Sequence, residues 1–247
     1  GGWPGHLDLS ATPAMRAMAG YIEDTCRVDL QRLDGVRRDP RSVRRLIDSL
    51  ARNIATPASL ESLAADANGA DGTMLPETVG SYLHALDRLM VTEDLPAWRP
   101  SLRSRARLRA AAVRHFADPS LATAALNAGP SRLLRDLGWM GFLFESLVVR
   151  DLRVYAQPLD GRLSHYRDSN GLEADAIIEL PDGRWAAFEI KLGSSPAVVD
   201  AAAAGLLRLA SIVDGPAPVA LAVITGTGYS LVRPDGVLQI AIGALGA

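Results

Sequence analysis

One cysteine, one lysine and few aromatic side chains set the limits of this 247-residue chain. Cys26 is the only cysteine. That excludes a disulfide framework and a cysteine-rich metal site, and it makes a reducing, cytoplasmic setting the expectation. No run of eighteen apolar residues occurs, and the start lacks a basic stretch followed by an apolar one. A membrane-spanning helix and a signal peptide are therefore not expected. No G-x-x-x-x-G-K-[ST] loop is present, so ATP is not expected to bind by that route. The chain opens Gly1-Gly2-Trp3-Pro4 without a methionine and reads as a fragment of a longer protein.

What is present is ample for a core. Hydrophobic residues make up 48% of the chain and charged residues 22%. The length allows one large domain or two small ones. The net charge of -2 excludes no partner, but it is unevenly spread. Residues 1–135 carry 18 basic and 15 acidic side chains, and residues 136–247 carry 8 and 13. A basic front part and an acidic back part result.

The most informative stretch is Leu172 to Lys191, LEADAIIELPDGRWAAFEIK. Ala176, Ile177, Ile178 and Leu180 suit a mostly buried strand. Pro181, Asp182 and Gly183 mark a tight turn. Trp185, Phe188 and Ile190 suit a second strand. Such a hairpin brings Asp175 near Glu189 and Lys191, and the period of two puts Glu189 and Lys191 on one face. Two carboxylates at a strand edge can hold Mg²⁺ or Mn²⁺, with the Ile190 carbonyl as a further ligand. A metal there would lower the pKa of a bound water, and Lys191 could orient that water. The other reading is an exposed cross-strand ion pair of little worth. Lys191 is the sole lysine beside 25 arginines, and an ammonium does not replace a guanidinium at such a site.

The front half reads as helical. Met15, Met18, Ile22 and Cys26 recur at helical spacing over Pro13 to Leu33. Asp39-Pro40 is a helix start, followed by Val43, Leu46, Ile47 and Leu50. The run Arg37, Arg38, Arg41, Arg44, Arg45 reads mainly as a solvated face. A short helix with Leu60 and Leu63, a glycine-containing loop and a second helix over Pro76 to Met90 resemble a helix-turn-helix, and Val91 to Trp98 would be its wing. Ser81, His84 and Arg88 are then the outward candidates for DNA contact. Arg99, Arg103, Arg105, Arg107 and Arg109 follow without an intervening acid, either as a phosphate-binding patch or as a soluble linker. Gly138 to Val154 is a strongly apolar helix carrying Glu145, whose carboxylate needs an ion partner or a metal in that setting. After Lys191, an alanine- and leucine-rich helix over Ala197 to Ile212 and the strand Val219 to Thr225 point to an α/β core.

These residues together resemble a known group. The opening Gly1-Gly2-Trp3-Pro4, the Thr78 to Leu89 segment, the helix GFLFESLV from Gly141 to Val148, and Glu173-Ala174-Asp175 with Glu189-Ile190-Lys191 are similar to the carboxy-terminal region of bacterial and archaeal AAA-type ATPases catalogued as domain of unknown function 4143. The resemblance implies an α/β fold with a mainly helical, winged-helix-like front half and a restriction-endonuclease-like mixed sheet flanked by helices. It implies residues 1–100 as the helical domain, 101–135 as a basic connector with helices, and 136–247 as the nuclease-like domain. Glu145 becomes the helix acid, Asp175 the strand ligand, and Glu189 and Lys191 the remaining pair. Glu173 is an accessory acid that binds metal or pairs with an arginine. An ATPase domain would lie upstream.

Two functions follow. One is Mg²⁺- or Mn²⁺-dependent phosphodiester hydrolysis, with Glu145, Asp175 and Glu189 as ligands, Lys191 as the water-orienting group, and DNA held by the front half. The other is a non-catalytic module of that ATPase, recognising protein or DNA.

Overall fold

A computed structural model describes residues 2–68, 74–99 and 111–246. The chain forms a largely helical front half followed by a mixed sheet with helices. It divides into two compact units. The first joins Gly1–Asp94 to Val113–Ser146, and the second joins Leu95–Ala112 to Leu147–Ala247.

The helical unit begins with α1 (Ala11–Asp24), one π-helical turn (Thr25–Asp29) and α2 (Leu30–Asp34). Gly35, at φ 71°, closes α2 in the left-handed region that glycine adopts without strain. Helix α3 (Pro40–Arg52) starts where the proline signal places it. The Asp39 carboxylate accepts from the Arg41 and Ser42 amides at 3.3 and 3.0 Å, satisfying two of the amides a helix start leaves unpaired. Val43, Leu46, Ile47 and Leu50 recur at three- and four-residue spacing and are buried. Helix α4 (Leu60–Ala67) is capped by Ser59, and α5 (Pro76–Arg88) buries Val79, Leu83 and Leu86. Helices α4 and α5 pack on each other. The segment after α5 pairs elsewhere. Ala117 donates to the Val91 carbonyl at 3.1 Å, Glu93 donates to the His115 carbonyl at 3.0 Å, and Thr92 bridges Phe116. Short α6 (Ser120–Ala125) and α7 (Pro130–Leu133) follow, then α8 (Leu137–Ala156), within which the division between the units falls.

The second unit is built on a six-stranded sheet of order β1-β2-β3-β4-β6-β5. Its strands are β1 (Arg162–Arg167), β2 (Glu173–Glu179), β3 (Trp185–Lys191), β4 (Ala220–Thr225), β5 (Leu231–Val232) and β6 (Leu238–Ala241). The first three form an antiparallel meander, and β3, β4 and β6 run parallel. Helix α9 (Pro196–Ile212) makes the crossover that a parallel β3–β4 pair requires. It buries Val199, Ala202, Ala203, Leu206 and Leu209 in one core with Ile177, Trp185, Ala187 and Val223. Full burial of each leucine is worth about 2 kcal/mol.

The outer edge of β1 is not bare. His165 donates to the Pro96 carbonyl at 2.9 Å, and Trp98 donates to the His165 carbonyl at 2.7 Å. The Trp98 ring lies 4.7 Å from that of Trp185, and its indole N–H reaches Glu179 at 3.2 Å. Thus Pro96–Trp98, far from β1 in the chain, covers the edge and helps hold the β2–β3 hairpin.

Candidate functional site

The hairpin expected from Leu172 to Lys191 is present as β2 and β3, and its register explains where its acids lie. Ala176 stands against Phe188 and Ile177 against Ala187. One step further in that register sets Asp175 against Glu189. On the other side of β2 the register slips. Ser164 faces Ile177 but Tyr166 faces Ala174, so three steps along β2 match two along β1. That extra residue is a bulge, and a bulge re-aims the side chains around it. Its effect is visible in the core, where Ala174 and Ile177 both join the cluster beside α9 although they differ in parity. Asp175 lies inside the slipped stretch.

The bulge also changes what Asp175 can reach. The Ile190 amide donates to Asp175 Oδ2 at 2.7 Å. The same oxygen lies 3.3 Å from Lys191 Nζ. Lys191 Nζ is in turn 2.5 Å from Glu189 Oε2. The ammonium therefore sits between two carboxylates, with its side chain one-third exposed and that of Glu189 only 10% exposed. Three charges share this space, two negative and one positive. Burial, then the Asp175 charge, pushes the Glu189 carboxyl from its ordinary 4.5 up to about 7, against the pull of Lys191. Burial works against the Lys191 charge, but Asp175 and Glu189 outweigh it and hold the ammonium above the usual lysine range. One ammonium neutralises one carboxylate well, and the buried Glu189 holds its proton above the ordinary range.

The divalent cation that the resemblance implies meets a mixed donor set. Asp175, Glu189 and the Ile190 carbonyl are oxygen donors of the right kind. One oxygen of each carboxylate, Asp175 Oδ2 and Glu189 Oε2, already faces the Lys191 ammonium. Among the described residues no group of three or more His, Cys, Asp or Glu side chains is placed to hold a metal ion. Within the back unit, Asp175 and Glu189 form an acid pair that shares one lysine.

Of the other candidates, Glu173 shares β2 with Asp175. Glu173 lies across from Arg167 in the β1–β2 register, with 3.7 Å between their charged atoms. It pairs with that arginine, and its charge also reaches Glu189. Glu145 is half-buried on α8 and belongs to the helical unit. Ser81, His84 and Arg88 are exposed on α5, but Glu77 and Asp87 are exposed there too. That helix face carries no net positive charge. Arg99 is half-buried, and among the described residues its interior Nε meets no hydrogen-bond partner. Arg103, Arg105, Arg107 and Arg109 lie outside the described residues.

Two supporting residues were not legible as such. Trp98 reads from the sequence as part of a wing, yet it braces the hairpin through Trp185 and Glu179. His165 is buried on β1, and its Nε2 lies 3.1 Å from the Ala111 carbonyl. Burial lowers its pKa, so the ring is neutral at physiological pH. The only sequence signal for either was the aromatic content of its segment.

Comparison with known proteins gives two family matches. Residues 1–132 match the model of Domain of unknown function (DUF8612). Residues 140–243 match that of Domain of unknown function (DUF4143), so a domain of that kind is present in the back half. No curated protein and no solved structure is similar enough to match. Among the described residues no helix is long and apolar enough to cross a membrane.

Proposed function

The chain belongs to the DUF8612 family, whose model spans its helical half, and from that premise we propose that it acts as a non-catalytic recognition module. The observation that carries this reading is the ion-paired state of the acid–lysine set. Lys191 already lies against both Asp175 and Glu189 and offsets part of their charge. In this role the set ties the end of β3 to the bulged β2 and preserves the shape of a sheet that is restriction-endonuclease-like. The module would serve an upstream ATPase of the AAA type, the partner implied by the likeness to DUF4143, and would contact protein or nucleic acid on its behalf. The winged-helix-like pair α4–α5 belongs to the same reading, as a packing unit of the helical half.

The test is direct. The full chain is titrated with Mn²⁺ in a calorimeter and incubated with supercoiled and single-stranded DNA in the presence of Mn²⁺. The reading expects no binding heat at micromolar to low millimolar metal, and no cleavage. Metal-dependent cleavage that disappears in Lys191→Ala overturns it and restores the phosphodiesterase reading.

A further inference from the structure

We propose that the solvent face of α3 and the turn before it hold the phosphate backbone of a nucleic acid through Arg37, Arg41 and Arg45. This deepens the module reading by naming a partner, but it stands on the helical unit alone.

Acids around this surface are neutralised from within the unit. Asp34 is held by Arg38 through two hydrogen bonds of 2.9 and 2.7 Å. Asp48 is held by Arg44 at 2.9 Å, and Asp66 by Arg52 at 2.9 Å. Asp39 caps the helix and also accepts from the Ser42 hydroxyl at 2.7 Å, while feeling the charge of Arg45. Each nearby acid is thus engaged. Arg37, Arg41 and Arg45 are exposed. The hydrogen bond seen for them is from Arg45 to the Ser42 hydroxyl, at 3.1 Å.

The placement opposes helix stability twice. Arg41 lies in the first turn of α3, which contains no acid, and a cation is disfavoured there by the helix dipole. Arg41 and Arg45 are also four residues apart, where like charges repel across one turn. A face chosen only for solubility would alternate signs or put acids first. The first amides of α3 are already taken by Asp39, so an incoming anion would be met by side chains and not by the helix end.

The character of the face decides between partners. The outward residues of α3 are Arg41, Arg44, Arg45, Asp48 and Arg52, with the apolar residues of the helix turned inward. A protein interface of useful affinity has an apolar or aromatic centre, whereas here the exposed apolar side chains are Val36 and Pro40 beside the arginines. Planar guanidinia in such number suit phosphate oxygens. Such contacts position a backbone and do not read bases.

Three phosphate contacts have a measurable signature. Each contributes about -0.9 to the slope of log K against log salt for duplex DNA, so three account for about a 40-fold change in affinity between 50 and 200 mM salt. A fluorescein-labelled 20-base-pair duplex is titrated with the full chain by anisotropy over that range. EDTA is present throughout, so the outcome does not depend on whether the acid–lysine set takes metal. The triple variant Arg37→Ala, Arg41→Ala, Arg45→Ala is expected to lose about 2 to 3 from the slope magnitude, while the triple lysine variant keeps it. Circular dichroism confirms that both are folded. The proposal is overturned if the alanine variant keeps the parent slope, if the parent does not bind the duplex at 50 mM salt, or if polyglutamate-rich peptide binds the same three arginines as tightly as the duplex.

Discussion

Replacing Glu189 by glutamine isolates the central electrostatic feature of the back unit. Glutamine keeps the shape of a protonated glutamate and removes only the ionised form. In the unfolded chain the carboxyl ionises near its ordinary 4.5, whereas burial and then Asp175 push it to about 7 in the fold. Below pH 4.5 both states are protonated, and there is no penalty. As pH rises from 4.5 to about 7 the unfolded state ionises first, so the fold loses stability, and above 7 the loss is complete. At 1.36 kcal/mol per pH unit the gap corresponds to about 3 kcal/mol, a ceiling because Lys191 admits water to the pair. Lys191 contributes in the opposite sense. Its raised pKa gives a stabilisation that is fully present below the usual lysine range, and so constant across this window. Urea unfolding followed by circular dichroism at pH 5, 6, 7 and 8 should show the parent losing 1–3 kcal/mol across the series and Glu189→Gln losing little of it. At pH 5 the two proteins should differ by less than about 1 kcal/mol. Parallel pH dependence of parent and variant would refute the reasoning. So would a carbon NMR titration in which no glutamate carboxyl titrates above pH 6.

Other perturbations probe the scaffold. A Cβ at Gly226 would lie 2.8 Å from the Leu192 carbonyl oxygen, so Gly226→Ala should cost about 1–3 kcal/mol and lower the urea midpoint. Asp39→Ala removes the cap of α3 and should cost about 1 kcal/mol by the same measurement. Burial holds the Cys26 thiol up at about 11, so a disulfide reagent at pH 8 should label the folded chain far more slowly than the urea-unfolded chain.

Local signals carried much of this fold. The Asp39-Pro40 start and the apolar spacing after it gave α3 nearly to its ends. The Pro181-Asp182-Gly183 turn between two apolar stretches gave the hairpin, and the alternation in Glu189-Ile190-Lys191 put the acid and the amine together. What escaped was non-local or a matter of one residue. Nothing in Ala174-Asp175-Ala176-Ile177 announces a bulge, because each residue suits either face of a strand. Equal spacing therefore put Glu173 beside Asp175, while the slipped register pairs it with Arg167. The π-helical turn at Thr25–Asp29 sits inside an uninterrupted helical pattern and changes no apolar spacing strongly enough to be read. The pairing of Pro96–Trp98 with β1 joins segments whose local composition gives no hint of one another.

That pairing sets a lower limit on what can stand alone. The stretch that matches DUF4143, residues 140–243, contains all six strands but not the segment that shields the first of them. Cut out by itself, it would bare the amide and carbonyl of His165 along a hydrogen-bonding rim and leave Trp185 without its indole neighbour. Unshielded rims of this kind recruit strands from other molecules and end in precipitate. A piece of the back half that keeps this edge covered must therefore reach upstream to Leu95.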